Sequence, residues 1–352
     1  MRIALLAPVQ PPCGVADYTR YLAAELDRLV DVVWLEHPDR FRPEMNSADV
    51  IHLQHQYSLF GGVAPWRNSF PRLVRSVAAP FVVTAHEIVD AAGSPVHRAL
   101  ISLTNRRTFH HPSINHIIVH TENDARRLKQ WIRPGTSVTV LRHPVPPAPN
   151  LPCRPEARRA LQLEGRFVVT IFGFLARNKG HRDALRALAS TPQHVFLLLA
   201  GGRHPDDRSS YARNLERLIE DLDLRGRVHI TGYLPPEGVA EVMAATDLVL
   251  APFISGSGSG SVAMALACGR PVLASDIPAN VEIAREMGEG MALFRAGDAL
   301  DLAAHITELV HTPQRLQEMA FASQEYAARH TWAAAAKDIV AVYRSVLGGE
   351  VQ

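Results

Sequence analysis

The chain has 352 residues, long enough for two domains each with its own core. Its formal net charge of +2 is too small to argue for a nucleic-acid partner. The three cysteines, Cys13, Cys153 and Cys268, have neither metal-binding nor disulfide-framework spacing, so a reducing, cytoplasmic setting is expected. The opening apolar run is too short for a secretory leader, and no run approaches the roughly 20 apolar residues that span a bilayer.

Residues 2–7 (RIALLA) read as a buried parallel strand, followed by a loop to Gly14 and a helix over 15–29 that repeats apolar side chains at Tyr18, Leu22 and Leu26. Further strands are predicted at 32–35, 49–53, 80–84, 116–120 and 138–141, with helices between several of them. Alternation of strand and helix predicts an α/β, doubly wound parallel sheet, whose ligands sit beyond the carboxyl ends of the strands. Gly14, His55, His86, Thr121 and Glu122 fall there, whereas His52 precedes its strand end and reads as structural. Gly14 is either a turn glycine or a point of close approach to a ligand; the G-x-G-x-x-G dinucleotide pattern is absent, which disfavours a hydride-transferring oxidoreductase. His86 is either a satisfied core histidine or a ligand contact. The segment 97–111, with Arg98, Arg106 and Arg107, is either a solvated face or a surface for anionic lipid or an acceptor.

Prolines crowd residues 144–155, which marks a domain boundary and a hinge. A helix near 155–161 precedes a second alternating series. Its strands are 167–173, 194–200, 227–230, 247–251 and 271–275, and its helices 181–190, 208–223, 236–244 and 261–268. Two more helices lie near 298–311 and 313–329, and a last one over 332–347 carries Ala335, Ile339, Val342 and Val346 on one stripe. The chemistry concentrates in two stretches. TIFGFLARNKG (170–180) is a strand ending at Gly173 and a loop bearing Lys179; SGSGSGSVAMALACGRP (255–271) is a glycine-serine run opening into an apolar helix. Bare N–H groups at a helix start, with a lysine from a neighbouring loop, suit a diphosphate. The other reading of the run is a loop without a ligand.

Taken in order, DYTRYLAAEL, VVTAHE, IIVHTENDARRL, GFLARNKG, GYLPPEGVAEVMAATDLVLAPF and ALACGRPVLASD resemble glycosyltransferases of the GT-B fold, closest to the retaining family 4 (group 1). The resemblance implies two facing Rossmann-like domains with a cleft between them: an acceptor-side domain over 1–145, a nucleotide-sugar donor domain over 146–330, and a final helix in 331–352 that crosses back to the first. It implies that Lys179 contacts the donor diphosphate, with Gly173 and Gly14 letting backbone approach it, that Tyr233 and Leu234 meet the nucleobase, and that His86 contacts the transferred sugar. Ser257, Gly258, Ser259, Gly260 and Ser261 complete the expected donor-binding set, and His86 and Lys179 the catalytic one. The chain departs from the family pattern in one respect. Two glutamates eight residues apart, expected to hold sugar and ribose, are replaced by Gly256 and Met264. Phe174 stands where an arginine is usual, with Arg177 three residues on as a substitute.

The function that follows is transfer of a sugar from a nucleotide-diphosphate donor to an unidentified acceptor, which could be a saccharide, a lipid-linked glycan or a natural product. Retention of configuration, no metal and no cofactor beyond the donor are expected. The departing phosphate would take the acceptor proton; Glu87 is a weaker candidate base. Two other readings stand beside it, a non-catalytic sugar-nucleotide-binding homologue and a GT-B-fold nucleotide-sugar 2-epimerase. A cytoplasmic location is expected, with peripheral contact to the inner face of the membrane as a further expectation.

Overall fold

A computed structural model describes residues 1–8, 14–36, 40–90, 93–204, 209–256 and 259–348. Contacts divide the chain into two units, Met1–Pro144 with His330–Gln352, and Val145–Arg329.

The first unit runs β1 (Arg2–Leu6), α1 (Gly14–Leu26), β2 (Asp31–Leu35), β3 (Val50–His55), α2 (Phe70–Arg75), β4 (Phe81–Ala85), α3 (Pro95–Phe109), β5 (Ile114–Val119), α4 (Glu122–Leu128) and β6 (Ser137–Val140). Its six strands are all parallel in the order β2-β1-β3-β4-β5-β6. β3 and β4 are buried along their whole length, as strands covered on both faces must be, and their sequences are correspondingly apolar. One face packs on Phe60, Phe70, Phe109 and Trp131, and the other on α1.

The second unit runs α5 (Arg154–Ala160), β7 (Phe167–Phe172), α6 (His181–Ala189), β8 (Val195–Ala200), α7 (Tyr211–Asp221), β9 (Val228–Ile230), α8 (Pro236–Ala245), β10 (Leu248–Ala251), α9 (Gly260–Ala267), β11 (Val272–Ser275), α10 (Pro278–Met287), β12 (Met291–Phe294), α11 (Ala299–His311) and α12 (Pro313–Arg329). Its strands are again all parallel, in the order β12-β11-β10-β7-β8-β9. The order reverses between β7 and β10, and a doubly wound sheet opens a crevice for ligand where its strand order reverses.

The chain then returns to the first unit as α13 (Trp332–Val346), which lays Trp332, Ala336, Ile339, Val340 and Tyr343 against Ile3, Tyr18, Leu22 and Leu26. Thr331 caps this helix by accepting from the Ala334 N–H at 3.2 Å. Two elements differ from the sequence reading, which went from the strand at 271–275 straight to the helix at 298–311. The structure inserts α10 and β12 between them. α10 starts at Pro278 with no capping side chain before it, and β12 follows it as the four residues MALF.

Candidate functional site

In the second unit the loops after β7 and β10 meet at the reversal of strand order. The Ile254 N–H donates to the Asn178 carbonyl at 2.8 Å, tying them together. Gly180 makes that approach feasible. It has φ +69°, and a Cβ there would stand 1.7 Å from the Pro252 carbonyl oxygen. The result is to aim Lys179 at the start of α9. Its Nζ donates to Ser261 Oγ at 3.0 Å and lies 4.1 Å from the centre of the Phe253 ring. A Cβ on Gly173 (φ +114°) would come within 3.8 Å of the same ammonium, so the bare backbone at the end of β7 faces it.

α9 begins where Ser259 caps it, Ser259 Oγ accepting from the Val262 N–H at 3.4 Å and meeting Ser261 Oγ at 2.9 Å. The first N–H groups of a helix have no partner inside it and carry a partial positive charge. Burial pushes the Lys179 ammonium down from 10.5 to about 8. Among the described residues it has no carboxylate partner. A lysine, two hydroxyls and a helix start therefore surround one position with donors, which is a receptacle for an anion. Beside it lies a small open cleft, with a cavity volume of about 60 Å³, lined by Asn178, Lys179, Phe253, Ser255, Ser259 and Asn280, among others. Its far wall is fixed by Ser275, whose Oγ donates to the Phe253 carbonyl at 2.6 Å, and by Asn280, whose Nδ2 donates to the Ser275 carbonyl at 2.9 Å.

The structure thus brings Gly173, Lys179, Ser259, Gly260 and Ser261 together. Ser257 and Gly258 lie outside the described residues. Arg177 is exposed, and its guanidinium sits 5.9 Å over the Tyr211 ring rather than beside Ser261. Tyr233 is 66% exposed and lies alongside Phe174, ring centres 6.4 Å apart and nearly parallel, with His204 edge-on to Phe174 at 4.9 Å. Leu234 is half-buried against the α5/α8 side of the core. Two glycines in this region went unnoticed in the sequence. A Cβ on Gly201 would lie 2.1 Å from the Gly173 carbonyl, and one on Gly202 would lie 2.8 Å from the Tyr233 N, so both hold the loops after β7, β8 and β9 in close contact. The paired glycines at the end of a predicted strand were the available signal. Asn280 was missed with α10, and Ser275, the last residue of the predicted strand 271–275, was not singled out.

Gly14 and His86 belong to the first unit. Gly14 is exposed at the first turn of α1, and a Cβ there would meet nothing within 4 Å. His86 follows β4, half-buried, with both ring nitrogens engaged: Nε2 lies 2.8 Å from Gln54 Oε1 and Nδ1 3.3 Å from His120 Nε2. Its ring stands edge-on to Tyr18 at 4.7 Å. Burial, then the neighbouring imidazoles of His120 and His143, holds it well below the usual histidine range, so it is neutral. The reading that separated His55 from His52 does not hold. His55 is the last residue of β3, fully buried against Tyr57, Phe60, Phe70 and Phe109, and neither ring nitrogen has a hydrogen-bond partner. His52 bridges Tyr343 and Thr84 at 2.6 and 2.8 Å. Thr121 caps α4, accepting from the Asp124 N–H at 2.9 Å. Burial raises the Glu87 carboxyl above its ordinary range. Among the described residues no group of three or more His, Cys, Asp and Glu side chains converges as a metal site.

Residues 154–326 match the family described as "Glycosyl transferases group 1". Over 288 residues the chain is 29% identical to D-inositol 3-phosphate glycosyltransferase of Mycobacterium leprae, a match covering 77% of this chain and 65% of that protein. The matched part thus spans less than two thirds of that relative's length. A second relative of the same description, from Rhodococcus erythropolis, is 32% identical over 200 residues, 54% of this chain and 44% of that one. Among solved structures, sucrose-phosphate synthase from Thermosynechococcus elongatus superposes with a TM-score of 0.79 at 19% identity, covering 99% of both chains. HepE from Anabaena, in complex with UDP and glucose, gives 0.76 at 20% identity over 98% of this chain and 100% of that one. The fold is therefore the α/β GT-B fold of these glycosyltransferases.

Proposed function

We propose, on the premise that residues 154–326 place this chain among the group 1 glycosyltransferases, that it moves a sugar from a nucleotide-diphosphate donor to an acceptor. The observation that carries this reading is the Lys179 ammonium seated on Ser261 at the start of α9, above the bare backbone of Gly173. As the sugar–phosphate bond breaks, negative charge grows on the departing diphosphate. A fixed cation and fixed N–H groups stabilise that charge without having to reorganise. Because the Anabaena neighbour was solved with UDP, UDP and UDP-sugars are the first donors to try.

Retention of configuration and independence from metal belong to the same proposal. The donors around the receptacle are an ammonium, hydroxyls and amides, which neutralise a diphosphate directly. EDTA is therefore expected to leave the transfer rate unchanged; a large loss restored by a divalent ion would contradict this. Peripheral contact with a membrane and the chemical nature of the acceptor remain proposals of the same kind.

A second reading is favoured by one observation: Gly256 and Met264 occupy the positions where two carboxylates are expected from the family pattern. In that reading the chain binds the donor and does not transfer it. Screening UDP-, GDP-, ADP- and dTDP-sugars by thermal shift finds the donor, since a ligand of the folded state raises apparent stability. Nucleotide release from the stabilising donor then separates the readings. Slow hydrolysis or transfer supports the enzyme; stabilisation with no release over many hours supports the binding protein.

A further inference from the structure

In the first unit, α3 and the loop before α2 form a surface that includes no residue of the receptacle described above. Ser94 caps α3 by accepting from the His97 N–H at 3.3 Å, and Pro95 follows at the first helical position. The helix buries Ile101, Thr104, Asn105, Thr108 and Phe109. Its opposite side carries Val96, Ala99 and Leu103, spaced as one stripe along a helix, followed on the same side by Arg106 and Arg107. That stripe is uncovered: Val96 is 70% exposed and Leu103 46%. The neighbouring loop is fastened to α3 twice. Thr104 Oγ1 donates to the Val63 carbonyl at 2.6 Å and Asn68 Nδ2 to Thr108 Oγ1 at 3.2 Å. Between these anchors the loop holds out Trp66, 71% exposed, with Val63 at 36%.

The charge here is one-sided. Residues 50–86 and 91–121 contain no Asp or Glu, while Arg67, Arg72, Arg75, Arg98, Arg106 and Arg107 all fall within them. All six are exposed, and none is in an ion pair among the described residues. The two acids in the gap offer little to oppose them, since Asp90 is paired with Arg127 and Glu87 is half-buried.

An exposed tryptophan and aliphatic stripe ringed by unpaired arginines is the pattern of a helix lying in the headgroup region of a bilayer. The aromatic and aliphatic side chains enter the acyl boundary, and the cations meet anionic lipid. We propose that this face, formed by α3 with Val63 and Trp66, docks the protein on a lipid surface bearing anionic headgroups. A protein partner with an acidic rim is the other candidate, but nothing here selects one, whereas helix, tryptophan and unpaired arginines together select a bilayer.

The test is sedimentation of the full chain with vesicles of phosphatidylcholine alone and of phosphatidylcholine with phosphatidylglycerol, at low and high salt. Two variants accompany it, the apolar set Trp66→Ala with Val96→Ser and Leu103→Ser, and the charge set Arg98→Glu with Arg106→Glu and Arg107→Glu. The sites are exposed, so circular dichroism and gel filtration should match wild type for both. The expected result is binding to the phosphatidylglycerol vesicles that weakens with salt and falls by roughly tenfold or more in either variant. Absence of binding to those vesicles at low salt would overturn the proposal. So would binding that both variants retain, or a wild-type dimer that the variants split, which would make the face a contact between copies. Donor stabilisation by a nucleotide sugar is unaffected in both variants, so failure here is distinct from failure of the transferase reading.

Discussion

Lys179 and the atoms around it carry the binding of an anion in the second unit. A lysine held down to about 8 by burial is half charged at mildly alkaline pH. Between its folded value near 8 and its ordinary value of 10.5, the folded state binds fewer protons than the unfolded one. Stability from this group therefore rises with pH across that window. Anion binding runs the other way, because it needs the charged form. Calorimetry with UDP is expected to show affinity falling above about pH 8; affinity that is flat from pH 7 to pH 10 would show that the ammonium is not the binding group. His86 presents the opposite case. The sequence left it open between a core histidine and a sugar contact, and both its nitrogens face protein atoms at 2.8 and 3.3 Å. Replacing it with alanine leaves Gln54 and His120 short of a partner inside a buried network, a loss of about 1–3 kcal/mol. A lowered melting temperature with donor affinity retained is the expected outcome of His86→Ala. A lost transfer rate at unchanged melting temperature would restore the sugar contact. Sequence spacing places His86 at the end of a strand, but does not reveal which side chains of neighbouring strands satisfy it.

At the scale of elements, the two loops that form the receptacle hold together because Gly180 passes under Pro252. An alanine there would carry its Cβ into the Pro252 carbonyl and would need φ +69°, a conformation that costs a non-glycine residue on the order of 1–3 kcal/mol even without a clash. Gly180→Ala is expected to lower the melting temperature and abolish UDP binding together; full binding in that variant would mean that the β7 and β10 loops do not build the site. The strand-loop-helix order of both stretches, and the lysine before the glycine, were legible in the sequence because each follows an apolar strand, FVVTIF in β7 and LVLA in β10. The pairing of Gly201 with Gly173, the wall of Ser275 and Asn280, and α10 itself were not. They depend on contacts between loops distant in sequence, or on a helix with no capping side chain at its start. Arg177, whose position in the chain suits a phosphate, has its guanidinium over the Tyr211 ring on α7, a contact between elements that sequence spacing does not reveal.

For the molecule as a whole, one six-stranded parallel sheet organises each of the two units, and the alternation of strand and helix was plain in the sequence. α13 belongs to the core of the first unit although it is last in sequence. Ending the chain after Thr331 would uncover Ile3, Tyr18, Leu22 and Leu26, and Trp332→Ala alone is expected to cost about 3–5 kcal/mol. Chemical denaturation of Trp332→Ala with a midpoint equal to wild type would show that this helix is not part of that core. In the reading proposed above, the second unit grips a diphosphate through Lys179 at the start of α9. Isothermal titration of UDP into wild type and Lys179→Ala near pH 7 tests it most directly. Wild type is expected to bind, and the variant to lose about 1.5–3 kcal/mol, the worth of a charge-assisted hydrogen bond. Equal affinity in the two proteins, with both folded, would contradict it.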